Sequence, residues 1–157
     1  MTVQFLHWGL FSFMIGLFLS LPLAAVYYQQ SPPWTRIFTN PRKLKSAHLD
    51  FFMQAFAAAL VYVLEFAWKQ PFPDYVVIPL LFGTICNPLL LLIEATPLNR
   101  EGLGRFVYRL LRATSPVSLL FAWSVIAWII FPLYMSIAFA AVVVVGAVII
   151  LSYKRSR

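Results

Sequence analysis

The length of the apolar runs constrains this chain more than any other feature. Residues 3–28, 47–68 and 76–95 are almost unbroken apolar stretches, and 117–151 is a longer one. A helix rises about 1.5 Å per residue and a bilayer's hydrocarbon core is about 30 Å thick, so about 20 such residues make one crossing. In lipid the backbone must satisfy its own hydrogen bonds, which makes each run a helix. Water is not an alternative solvent: 62% of the 157 residues are hydrophobic and 11% charged, against about 25% charged in ordinary soluble domains. A chain this short cannot bury that much apolar surface in one core. The sequence therefore predicts an all-α integral membrane four-helix bundle, a single transmembrane domain over 1–157.

The segments between the runs set the topology. Residues 29–46 hold Ser31-Pro32-Pro33 and Asn40-Pro41, which break helices, and then Arg36, Arg42, Lys43 and Lys45. Residues 69–75 are too short for anything but a tight connection, so the second and third runs are antiparallel neighbours. Over about 100–113, Arg105, Arg109 and Arg112 share one face of an amphipathic helix, expected to lie at the membrane surface beside Arg100. Lys154, Arg155 and Arg157 close the chain. With a net charge of +7, such clusters suit nucleic acid in principle. Each one flanks a membrane-length run, however, so the partner they imply is anionic lipid, with 29–46 and 96–116 cytoplasmic in a plasma (inner) membrane. The last run has two readings. One helix kinked at Pro132 gives four crossings and is preferred, because Phe-Pro-Leu-Tyr offers little to satisfy a bent backbone in lipid. A hairpin at Pro132 gives five and places all the basic segments on one side.

Polar residues inside the runs point to a site. An ionisable group in a spanning helix costs about 2.5–3.5 kcal/mol on insertion scales. Asp50, Gln54 and Glu65 fall on one stripe of the second run, and Thr84, Asn87 and Glu94 on one stripe of the third. Antiparallel packing should turn these stripes toward each other and bring Gln54 and Asn87 to similar depth. His48, Asp50, Gln54, Asn87 and Glu94 thus become candidates for a polar site in the cytoplasmic half, with two carboxylates for acid–base work. The competing reading is interhelical hydrogen bonding, with Asp50 and Glu94 paired to basic loops. His7 and His48, the two histidines, open the first and second runs and are expected roughly 25–30 Å apart. His48 also lies about 160° around the helix from Asp50, so it can join a site only between subunits. Cys86 stands alone in an apolar run, a packing residue. The six glycines form no phosphate-binding loop, and no zinc spacing or nucleophile elbow occurs.

Two stretches carry a family likeness. Lys45-Ser46-Ala47-His48-Leu49-Asp50-Phe51-Phe52-Met53-Gln54 resembles the second helix of the hydroxylaminobenzene mutase and styrene oxide isomerase family, where a small residue, His, Leu and an acidic residue precede a few apolar residues and Asn. Phe82-Gly83-Thr84-Ile85-Cys86-Asn87 is similar to that family's third-helix pattern, aromatic-Gly-Thr-aromatic-Ala-Asn. The likeness covers residues 42–100. It implies a small four-helix membrane protein, a homo-oligomer (a trimer in the isomerase), holding haem b through His48. It further implies rearrangement of a small lipophilic epoxide or arylhydroxylamine, with the iron as Lewis acid. Gln54 and Asn87 would hold the substrate oxygen, and Asp50 or Glu94 would move protons. The departures are specific: Gln54 replaces the family Asn, and the isomerase's catalytic Asp and Tyr align with Gly83 and Leu91. Two other classes fit the same residues. One is a non-enzymatic helper or structural subunit whose polar stripes join helices. The other is a small transporter or channel using Asp50, Gln54, Asn87 and Glu94 as a pathway.

Overall fold

The computed structural model describes residues 3–99 and 102–155; Arg100 and Arg157 of the basic clusters lie outside them. The described residues form α1 (Gln4–Tyr27), α2 (Pro32–Ile37), α3 (Pro41–Trp68), α4 (Asp74–Ala95), α5 (Gly102–Ile130) and α6 (Leu133–Arg155), with a 3-10 turn at Pro97–Asn99. The fold is all-α, with five helices long and apolar enough to cross a membrane. Of the two readings of the last run, the break at Pro132 is the one that holds, and the single kinked helix is corrected. The run read as one helix over 117–151 is two, with α5 ending at Ile130 and α6 beginning at Leu133 on either side of Phe131-Pro132; the missing Pro132 N–H permits the break without dictating it. The Pro132 carbonyl accepts from the Met135 and Ser136 amides at 3.0 and 3.1 Å and opens α6. The amphipathic segment over 100–113 is likewise not a separate surface helix. It is the start of α5, which passes through Pro116 unbroken.

Two compact units divide the chain, residues 1–122 and 123–157. In the first, α3 is the central helix. It begins at Pro41, six residues before the apolar run, because Asn40 caps it by accepting from the Lys43 amide at 3.2 Å and Pro41 occupies its first turn. The cations Arg42, Lys43 and Lys45 therefore stand on helix rather than loop. Small residues of α1 bring it against α3: a Cβ on Gly9 would lie 3.1 Å from the Ala55 carbonyl oxygen, and one on Gly16 would lie 3.1 Å from the Phe52 ring. Ser12 between them is fully buried and donates to the Phe51 carbonyl at 3.2 Å. α4 packs on α3. α5 in turn presses on α4 so closely that a Cβ on Gly83 would lie 2.9 Å from the Leu119 Cβ. At the end of the bundle where α1 finishes and α3 begins, Val26, Phe38, Leu44 and Ala95 form a buried cluster, and the Asn40 amide donates to the Ala95 carbonyl at 3.1 Å.

The α3–α4 connection is held from inside. Glu65 is fully buried and its Oε1 accepts from the Phe72 amide at 3.0 Å. Lys69 caps α3 in the left-handed region, φ 59°, where a side chain costs about 1 kcal/mol and glycine is favoured. Lys69→Gly should therefore stabilise the protein by about 0.5–1 kcal/mol in reversible detergent unfolding; a destabilised variant would show that the Lys69 side chain matters more than its backbone.

In the second unit, the end of α5 and the start of α6 bend at Phe131–Pro132 around an apolar cavity of about 320 Å³ lined by Ala127, Trp128, Phe131 and Phe139. Ser136 and Gly146 are half-buried, while the other residues of α6 with described side chains are exposed. A helix this apolar over Leu133–Tyr153 with that exposure needs lipid around it.

Candidate functional site

The five residues picked out by sequence are distributed among four constellations rather than one. His48, two turns into α3, is half-buried, and its Nδ1 lies 2.8 Å from the Gly16 carbonyl oxygen of α1, with the Phe52 ring packed edge-on at 4.9 Å between centroids. A carbonyl can only accept, so Nδ1 carries the proton, and in the neutral ring the Nε2 lone pair is left for another partner. Gly16 permits the contact because it has no side chain to hold the Phe52 ring off. His7 is exposed near the start of α1. Along α1, nine residues separate it from Gly16, roughly 13 Å at 1.5 Å each. The histidines are therefore nearer along the bundle than the 25–30 Å expected, because α3 extends beyond His48 to Pro41. One iron still cannot reach both.

Asp50 and Gln54 form the second group. One turn apart on α3, they are joined by a hydrogen bond from Gln54 Nε2 to Asp50 Oδ1 at 3.1 Å. Gln54 is 6% exposed, and its Oε1 is buried without a hydrogen-bond partner. No ion pair among the described residues involves Asp50.

Asn87 turns to α5 rather than to α3. Its Oδ1 accepts from Ser115 Oγ at 2.8 Å, and the same hydroxyl lies 3.4 Å from the Gly83 carbonyl oxygen. Ser115 is fully buried, and nothing in its own sequence neighbourhood marks it, because its partner lies on another helix 28 residues away.

Glu94 closes the fourth group. It is ion-paired to Lys43 of α3 and accepts from the Tyr108 hydroxyl of α5. Arg112 Nη1 donates to that same hydroxyl at 3.3 Å, its guanidinium lying 5.9 Å from the Tyr108 ring centroid. Both Glu94 oxygens are thus engaged by basic or hydroxyl donors, which is the pairing with basic segments that competed with a catalytic role. Tyr108 was not a sequence candidate; its spacing of four from Arg112 is the signal that could have found it.

Chemically, the described residues contain no group of three His, Cys, Asp or Glu side chains able to hold a metal ion. A porphyrin iron needs one imidazole, and His48 offers it. The isomerase's acid does not fit: at Gly83 a side chain would drive into Leu119. Compared with known proteins, the chain matches no family model, no curated protein and no solved structure.

Proposed function

We propose that this is an integral membrane haem-b protein of the mutase/isomerase kind, with His48 as the axial ligand and a small lipophilic oxygenated molecule as substrate. One observation carries the reading: the Gly16 carbonyl fixes the His48 tautomer and ring orientation, leaving Nε2 available. Metal-ligating histidines donate their other ring N–H to a carbonyl or carboxylate in the same way. Bound haem would supply a Lewis-acidic iron for an epoxide or hydroxylamine oxygen. Asp50, held by Gln54, would be the proton-carrying carboxyl, since Glu94 is engaged by Lys43 and Tyr108. Because His48 and Asp50 lie on opposed faces of α3, both would serve one substrate only across a subunit boundary. That accords with the homo-oligomer implied by the family likeness. Five crossings in a plasma (inner) membrane, with the basic segments cytoplasmic, complete the proposal.

His48→Ala should abolish haem retention, while His7→Ala should keep the haem content of the wild type. The check is haem per chain in the detergent-purified proteins, each shown to be folded by circular dichroism. Equal haem content in all three would sink the assignment.

A second reading is a non-enzymatic helper or structural subunit. What favours it is that Ser12, Asn87, Ser115 and Glu94 all bond across helices. Such a protein would fold and purify without haem, and the His48 variant would behave as wild type.

A further inference from the structure

The basic end of the first unit carries more positive charge than the bundle neutralises. Arg42, Lys43 and Lys45 open α3, and Arg109 and Arg112 stand on the first half of α5. Among the described residues, Glu94 is the carboxylate that meets this group, through Lys43. All but Lys43 are exposed, and the Lys43 side chain is 41% exposed. Arg112 and Arg109 lie about one and two turns before the apolar run that begins at Val117, where cations flanking a membrane-length segment meet headgroups.

The pattern below them is equally specific. Arg109, Arg112, Pro116 and Leu120, spaced i, i+3, i+7 and i+11, form one exposed stripe of α5, cationic at one end and apolar at the other. Arg112 is oriented by Tyr108, which Glu94 holds in turn, so one guanidinium nitrogen is held, and among the described residues no other hydrogen bond of the exposed guanidinium is seen. A planar guanidinium fork suits a phosphate, and a lysine ammonium adds a point charge beside it.

We propose that Lys43, Arg109 and Arg112 form a binding site for the phosphate of an anionic phospholipid, whose acyl chain lies along Pro116 and Leu120. This site is independent of the haem reading. The Glu94–Tyr108 pair is its positioning element, fixing Arg112 on α5 beside Lys43 on α3. Ordinary positive-inside attraction acts on total charge, whereas this site depends on which cations are removed.

Native mass spectrometry of the detergent-purified protein with phosphatidylglycerol or phosphatidylcholine tests it. The wild type should retain phosphatidylglycerol in preference. At roughly fivefold per basic side chain, Arg109→Gln with Arg112→Gln should weaken phosphatidylglycerol binding about thirtyfold, and Arg112→Gln alone about fivefold. Lys154→Gln with Arg155→Gln removes the same charge and should change it less than twofold. No preference in the wild type, or equal losses in the two double variants, would overturn the proposal; the latter would leave net charge as the whole effect.

Discussion

Gly83→Asp, which would place a carboxylate where the proposed family likeness aligns a catalytic Asp, should yield a severely destabilised protein rather than one that gains activity. A Cβ there would meet the Leu119 Cβ at 2.9 Å and its Cα at 3.2 Å. The second of these is backbone and cannot rotate away. Overpacking of this kind costs about 1–3 kcal/mol. A carboxyl within a spanning helix adds about 2.5–3.5 kcal/mol by insertion scales. Together they exceed about 3 kcal/mol, a large part of the 5–15 kcal/mol that stabilises a typical protein. Gly83→Ala should show the packing part alone, at about 1–3 kcal/mol. Reversible unfolding in mixed detergent measures both. A Gly83→Asp protein as stable as wild type would mean that α5 does not press on α4 as described, and would reopen that face of α4 as a place for chemistry.

The second large effect is at Glu65. Its side chain is fully buried and its Oε1 accepts a hydrogen bond from the amide of Phe72, itself 3% exposed. Glu65→Ala should leave that amide without its acceptor and open a void where α3 meets α4. The expected loss is about 3 kcal/mol, combining an unsatisfied buried donor with a cavity. Glu65→Gln keeps an acceptor oxygen of nearly the same reach and should cost less than about 1 kcal/mol. The contrast is diagnostic. If Gln is as damaging as Ala, the carboxylate's charge is what the site needs; if neither matters, the connection is held by its prolines alone.

The parts of the fold that follow from one segment at a time were legible in the sequence. The runs over 3–28, 47–68 and 76–95 match α1, α3 and α4 closely at their apolar ends, because length against bilayer thickness decides them. Taking charge as the boundary puts the start of α3 at the apolar run, after its actual start at Pro41, because the basic residues 42–45 then resemble a loop. The capping asparagine and the proline after it are the better signal. Pro132 could not be judged from its own neighbourhood. Pro22, Pro79, Pro88 and Pro116 all sit inside continuous helices, so a proline in a membrane helix does not by itself announce a break. What separates Pro132 is that its carbonyl starts a new helix, a property of the backbone after it.

The candidate site was legible in composition but not in pairing. The stripe on α3 predicted that Gln54 and Glu65 would be buried, as they are. The facing stripe on α4 was expected to complete it, but Asn87 and Glu94 both find partners on α5. That follows from the extra packing helix, since a polar group in lipid takes the nearest donor or acceptor on whichever helix supplies one. The His48–Gly16 contact needs the register between α1 and α3. Its trace in the sequence is Gly9, Ser12 and Gly16, small residues three and four apart, which mark the face where another helix comes close.

The visible absorption spectrum of the wild-type protein, produced with ample haem and purified in detergent, tests the central claim most directly. Coordination by His48 predicts a Soret band with about one haem per chain. A colourless protein that is folded and monodisperse would contradict it, removing the cofactor and the rearrangement chemistry together and leaving the polar groups of α3, α4 and α5 as the joints of a membrane bundle.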